Sequence, residues 1–421
     1  MSNVSIQAGF PDPPVMSAGL ATGDDRAEVI REAVQEAATG LDGRSCDLVL
    51  FSFSPHFVEH ARELSDVMGS ELSPGTMIGV SAGSVLGGVT ELEQLPGVSV
   101  LAASLPGVQI TTFTADDLPV PTEDGFAEAA GIAGKHRGTL LFTDAFSVPL
   151  VRLLPAVSKA IRRVNGGPLL GGVASAGDSP GGNALVCNGS VRRDGLVGVS
   201  LAGRIHVDPV VSQGCRPIGP NLVVTAAKAN LVRELGGRPA HRVMADLIAS
   251  LEDDERRSIT GGLFVGLVVD EYKERFGRGD YLMRPIVAAD EDSGSIAVGD
   301  QVRTGQTVRL HVRDRATADE DLSLLLDAQK IHDRPLGVWA VSCNGRGTAL
   351  FGSPHHDARA IARAFAPPRS GADLALGGTP MGAEVPSVPM AGFFGAGEIG
   401  PVGGASYLHA HTASLAIFRG P

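Results

Sequence analysis

Four side chains towards the C-terminal end could do chemistry together. Cys343, Asn344 and Arg346 fall in Val341-Ser342-Cys343-Asn344-Gly345-Arg346-Gly347, and Glu398 falls in Gly395-Ala396-Gly397-Glu398-Ile399-Gly400. A thiol becomes a nucleophile when it ionises, and a neighbouring guanidinium favours that ionisation and also pairs with carboxylates. The glycines let the backbone turn sharply and approach a ligand closely. Glu398 is the sole charge in its loop, where an acid either accepts N–H groups from a ligand or pairs with an Arg. Cys215-Arg216 repeats the thiol–guanidinium pairing earlier in the chain. Taken alone, the 341–347 stretch also reads as a strand, a tight Asn-Gly turn and a small buried Cys. The rest of the chain favours the binding reading.

Two motifs spell familiar patterns in the wrong context. Gly79-Val80-Ser81-Ala82-Gly83 has the spacing of a nucleophile elbow, which requires a helix directly afterwards. Ser84-Val85-Leu86-Gly87-Gly88 is a poor helix start. The preferred reading is therefore a small-residue loop whose amides face an anion. Under the hydrolase reading, His409 or His411 would serve Ser81. Gly395-x-Gly397-x-x-Gly400 spells a dinucleotide fingerprint, but Pro401, Gly403 and Gly404 follow where a helix must start. Cys46, Cys187, Cys215 and Cys343 are widely spaced, so no metal site is expected.

These residues lie at the ends of strands in a recurring pattern. Residues 47–53 and 76–80 read as strands flanking a helix that Pro55 opens. Residues 139–143 and 168–173 flank a second helix, with Val151, Leu154, Val157 and Ile161 on one face. Leu336–Val341 and Val388–Phe394 flank a third. Three times a strand delivers a small-residue loop, and open α/β sheets bind ligands at such strand ends. The expected fold is α/β, with repeated strand–helix–strand units in two packed domains with mixed β-sheets. The expected divisions are a loose tail over 1–23, a domain over 24–205, a crossing segment over 206–240 and a domain over 241–421. Residues 183–187 and 195–201 are expected to form a hairpin around Asn188-Gly189.

Composition narrows the function classes. The 421 residues are 43% hydrophobic and 19% charged, with a formal net charge of −12. No basic patch with interleaved aromatics is present, which argues against nucleic acid as a partner. Neither an export signal nor an apolar run long enough to cross a membrane is visible. Reduced cysteines and a cytoplasmic location are expected.

Several segments together resemble the FIST family, a pair of domains termed FIST N and FIST C. They are Met77–Gly83, Val211–Gly219, Glu234–Ala240, Asp280–Val287, Ser342–Gly347 and Gly392–Pro401. The match spans roughly residues 40–415, and the order and spacing of the pieces carry it. The resemblance implies a signal-transduction sensory module that binds a small ligand, amino acids among the candidates. A separate signalling protein would then be the downstream partner. On that basis the ligand-binding candidates are Ser81, Gly83, Cys215, Arg216, Arg284, Cys343, Asn344, Arg346 and Glu398. Arg216, Arg284 or Arg346 would take a carboxylate, and Glu398 an amine. One alternative is a thiol-dependent enzyme using Cys343 or Cys215. Another is a haem-binding nitric-oxide sensor, as some family members are described, with His241 as the candidate ligand. No other cofactor is expected.

Overall fold

In the computed structural model, which describes residues 12–119, 125–259, 262–367 and 388–421, the body is one unit built three times. The first unit runs β1 (Val15–Thr22), α1 (Arg26–Gly40), β2 (Leu48–Phe53), α2 (Ala61–Leu72), β3 (Thr76–Ser81), β4 (Ser84–Gly87), β5 (Thr90–Glu93) and β6 (Gly97–Ser104). The second runs β7 (Val108–Thr114), α3 (Phe126–Ala129), β8 (His136–Thr143), α4 (Leu150–Arg163), β9 (Leu169–Val173), β10 (Leu185–Cys187), β11 (Ser190–Arg192) and β12 (Leu196–Gly203). The third opens with β13 (His206–Ser212) and is interrupted by an insertion. The insertion comprises β14 (Cys215–Lys228), β15 (Leu231–Leu235), β16 (Arg238–Pro239), α5 (Ala240–Ala249), α6 (Asp253–Ser258), β17 (Leu263–Val268), β18 (Tyr281–Asp290), β19 (Ser295–Val298) and β20 (Thr307–Arg313). The third unit then resumes with α7 (Arg315–Ala328), β21 (Gly337–Cys343), α8 (Gly347–Phe351), α9 (His356–Ala364), β22 (Met390–Gly395), β23 (Gly397–Val402), β24 (Ala405–His409) and β25 (Ala413–Arg419).

Each unit contributes a parallel pair, β2–β3, β8–β9 and β21–β22, with antiparallel strands β6, β12 and β25 alongside. The hairpins leave their own sheets. β10 pairs with β3, β23 with β9, and β4 with β22. Each sheet is therefore completed by the unit that follows, in a closed threefold cycle. The alternation along the strands explains the layering. Leu48 and Leu50, Leu140 and Phe142, and Trp339 and Val341 face one shared central core. Their neighbours Val49 and Phe51, Leu141, and Val338 and Ala340 face separate helical layers. Strands covered on both faces read as continuous apolar runs, as Leu48–Phe53 does. At the centre, Phe142, Trp339 and Phe393 meet with ring centroids 5.7–6.3 Å apart.

The insertion is an antiparallel barrel. Its strands run β14-β20-β17-β18-β19-β15, and β15 returns to pair with β14. Ile218, Val224, Val265, Val308, Leu310 and Val312 fill it. Among the described residues, no helix is long and apolar enough to cross a membrane.

Four expectations need correction. Residues 1–11 lie outside the described residues, but the expected tail contains β1 from Val15, paired along its length with β6. The expected crossing segment is strands: β13 pairs with β25, and β14 and β15 belong to the barrel. Asn188-Gly189 does make a turn, with φ of 45° and 85°, but it joins β10 to β11; β12 lies in another sheet. The small-residue stretches after β3 and β22 are tight turns into β4 and β23, because each hairpin strand crosses at once into the neighbouring sheet.

Candidate functional site

At its C-terminal end, β21 places Cys343 beside the last residue of β22, Gly395. The chain then turns, with Asn344 N donating to Gly395 O at 3.0 Å and Arg346 N to Cys343 O at 2.8 Å. The turn sends Arg346 inward, where it is fully buried. Its Nε and Nη2 grip both oxygens of Asp357 at 2.7 and 2.9 Å, and its guanidinium lies 5.3 Å from the Phe351 ring centroid. Asp357 also accepts from Ser342 Oγ at 2.8 Å and from His356 Nδ1 at 3.0 Å. The Arg346 guanidinium and these donors hold the Asp357 carboxyl well below the usual carboxylate range, against the opposing effect of burial.

A second arginine, Arg313, arrives from the barrel. It ends β20 directly opposite Cys215, the first residue of β14. Val308, Leu310 and Val312 point into the barrel, so Arg313 points out of it towards the third unit. Its Nη2 donates to Gly345 O at 2.5 Å and its Nη1 to His411 Nδ1 at 2.9 Å. Glu398, on β23, is fully buried, and its Oε2 accepts from Thr412 N at 3.0 Å. Burial pushes the Glu398 carboxyl up to about 8, and the neighbouring Cys343 thiol up to about 12. Cys215, near Arg313 and Arg346, is also pushed up to about 12 by burial.

The structure thus brings Cys215, Cys343, Arg346 and Glu398 together and adds Arg313 and His411. Nine buried side-chain N or O atoms among the described residues lack a hydrogen-bond partner, and three of them are here: Arg313 Nε, Arg346 Nη1 and Glu398 Oε1. Each such atom costs about 1–3 kcal/mol unless something satisfies it. Burial favours the neutral form of Glu398, and Arg346 pairs with the ionised Asp357. The cluster is covered, and Asn344 is exposed at its rim. Two surface concavities of about 500 and 340 Å³, around Glu63 and between Pro13 and Pro421, contain none of its residues.

The other candidates are placed elsewhere. Ser81 is buried, accepts from Ala184 N at 2.8 Å, and is followed by strand β4, so no nucleophile elbow forms. Gly83 donates from its amide to Ser175 Oγ at 2.9 Å, on the Asn344 side of the rim. Arg216 binds Glu255 at 2.9 Å and Asp314 at 3.3 Å. Arg284 binds Asp300 at 2.6 Å and Leu408 O at 2.9 Å. Both guanidiniums are held by acid partners outside the cluster. His241 lies in the first turn of α5, near Asp290.

Local sequence does not mark Arg313 or Asp357 as site residues. The signal for Arg313 is its phase, since a charge out of step with Val308, Leu310 and Val312 faces outward. Asp357 follows His355-His356 at a helix start, but nothing local ties it to Arg346.

The raised thiols have a measurable consequence. At about pH 7.5, iodoacetamide should modify Cys343 and Cys215 at least roughly tenfold more slowly in the folded than in the unfolded protein. Equal rates would mean that these thiols are neither covered nor held protonated.

The FIST N domain model matches residues 47–238 and the FIST C domain model residues 240–401, the two meeting inside the barrel. An uncharacterised protein of Mycobacterium tuberculosis is 36% identical over 408 residues, covering 95% of this chain and 98% of the relative. One of Mycobacterium bovis is 34% identical over 405 residues, covering 95% and 97%. Among solved structures, a cyanuric acid hydrolase aligns over 97% of this chain and 100% of its own at 10% identity and a TM-score of 0.28. The cyanuric acid hydrolase of A. caulinodans aligns over 46% and 72% at 12% identity and a TM-score of 0.25. Likeness at that level carries no argument. With both domain models matched in order along the chain, the protein belongs to the FIST family, whose domains are generally sensory, ligand-binding modules of signalling.

Proposed function

We propose that this protein senses a small, amino-acid-sized carboxylate ligand, taken at the Cys343–Arg313–Arg346–Glu398 cluster. The observation that supports this most is internal to the chain. The strand-end pair Cys343–Gly395 corresponds to Phe53–Ser81 and Thr143–Val173 in the other two units. Three residues on from each first member stand the buried Arg346 and the exposed His56 and Phe146. Glu398, opposite Gly172, corresponds to the apolar Leu185, opposite Val80. Two copies of the unit therefore fold without a buried arginine at this strand end, and one without a buried acid. Burying Arg346 costs several kcal/mol before pairing, and a ligand that uses its remaining N–H would account for keeping it there.

A carboxylate would offer acceptor oxygens to Arg313 Nε and Arg346 Nη1, which have none within the protein. To admit it, Gly345 O and His411 would release Arg313, and the ligand would take their place. Arg313 and Cys215 end the two strands on which the barrel hangs, so this exchange would be felt as a change in the barrel's seating. A separate signalling protein could read that change.

The test is a thermal-shift panel of amino, 2-hydroxy and 2-oxo carboxylic acids on the full chain. A ligand at a hundred times its Kd should stabilise the protein by about 2.7 kcal/mol. Arg313→Gln should abolish that gain while leaving the unliganded melting temperature within a few degrees. A panel without any stabilising member, or a gain that survives Arg313→Gln, would refute the reading.

A further inference from the structure

Cys343 is not needed to hold a carboxylate, yet it sits in the middle of the groups that would. Its thiol lies beside Glu398, whose Oε1 is fully buried without a hydrogen-bond partner. Two cationic donors with unpartnered N–H groups, Arg313 Nε and Arg346 Nη1, complete the cluster. A thiol, a carboxyl group that can relay its proton and a carboxylate receptor together match one kind of ligand: a carboxylate with an electrophilic carbon next to it. We propose that the ligand is a 2-oxo carboxylic acid, and that Cys343 adds reversibly to its carbonyl carbon while Arg313 and Arg346 hold its carboxylate. This rests on the reading of the cluster as a carboxylate site.

The step balances without an oxidant or a leaving group. The Cys343 sulfur forms a bond to the carbonyl carbon, and the π pair of the C=O bond moves to oxygen, which takes the proton of the Glu398 carboxyl. The thiol proton passes to the other oxygen of that carboxyl, so Glu398 ends protonated as it began. The product is a hemithioketal, and the reverse sequence restores thiol and ligand. Nothing is oxidised, so the signal would follow ligand concentration in both directions. The burial that holds Glu398 near neutrality also suits it to carry a proton at physiological pH.

The donors also separate the oxo acid from an amino acid. Arg313 Nε and Arg346 Nη1 are unpartnered cationic N–H groups, which suit a carboxylate and repel an ammonium beside it. Glu398, expected from sequence to take an amine, is thereby assigned to the carbonyl oxygen and the thiol proton.

The experiment uses the full chain with pyruvate, 2-oxobutyrate and 2-oxoglutarate, each carrying carbon-13 at C2, and with lactate and alanine as non-electrophilic controls. Affinities are measured by calorimetry and the C2 environment by NMR. At least one oxo acid should bind at least tenfold more tightly than lactate. Its C2 should move from the carbonyl region to the saturated region in the bound state. Cys343→Ala and Cys343→Ser should lose the saturated C2 signal and the tenfold preference while still binding lactate, which also shows that the site is folded. An oxo acid that binds with its carbonyl carbon unchanged, or as tightly to Cys343→Ala as to the parent, overturns the covalent step and leaves the carboxylate site standing. Absence of binding by all five probes overturns both.

Discussion

Replacing Asp357 by Ala is expected to destabilise the protein by about 3–5 kcal/mol, the cost of stranding one member of a buried ion pair. Arg346 is fully buried and Asp357 nearly so, and their pairing is two-pronged at 2.7 and 2.9 Å. Removing the carboxylate strips Arg346 of both partners and also frees Ser342 Oγ and His356 Nδ1. The guanidinium cannot neutralise itself by losing its proton, since it stays charged in proteins. Denaturant unfolding should therefore show a lower midpoint with an unchanged slope. The double change Arg346→Met with Asp357→Leu should recover most of the loss, because well-packed apolar replacements avoid the desolvation cost. That double variant should nevertheless bind no carboxylate ligand, which would separate what the pair does for function from what it does for stability. A single variant that unfolds like the parent would mean that water reaches Arg346.

The second large effect is on pH dependence. Burial lowers His136, His311, His409 and His411 to about 4. These residues are neutral in the folded protein and become charged more readily when it unfolds. Stability is therefore lost as pH falls from the unfolded histidine value near 6.5 towards 4. The two most deeply buried, His311 and His409, would each remove on the order of 3 kcal/mol once the pH is below 4. Glu91 and Glu398 act in the opposite sense. Burial raises them to about 7 and about 8, so they stay protonated in the folded protein. Their contribution is present below the unfolded carboxyl value and is lost as pH rises through 7 and 8. The melting temperature should pass through a maximum near about pH 6.5, with a steep acid limb and a shallower alkaline one. Gln at both His311 and His409 should flatten the acid limb. Melting temperatures that climb without a break to pH 8 would contradict the burial of Glu91 and Glu398. Because Glu398 lies in the proposed site, ligand binding should also shift the alkaline limb.

Much of the fold is legible in the chain because its causes are local. Leu48–Phe53 is apolar at every position, and a strand covered on both faces requires that. Asp25 and Asp314 stand immediately before α1 and α7, each accepting from the backbone N–H three residues on, as helix caps do. The repeat also shows in the order of strands, helices and small-residue ends. The swapped hairpins do not. Ser84–Gly87 and Gly397–Val402 look like loop because their partners, β22 and β9, lie hundreds of residues away in the chain. The barrel was hidden for the same reason, since its closure depends on β14 meeting both β20 and β15.

The site divides along the same line. Residue types and spacing along the chain set which chemistry is available: thiols at 215 and 343, a guanidinium at 346 and an acid at 398, each at a strand end. They also placed Arg216 and Arg284 among the carboxylate receptors, because a guanidinium's partners are invisible in one dimension. Only the tertiary structure decided that Asp314, Glu255 and Asp300 satisfy those two, that Asp357 leaves one Arg346 nitrogen free, and that the barrel supplies Arg313. The physical reason is that whether a charge is available depends on what surrounds it in space. Burial, pairing and the pKa of each group are set by elements that the chain brings together from both ends of an inserted domain.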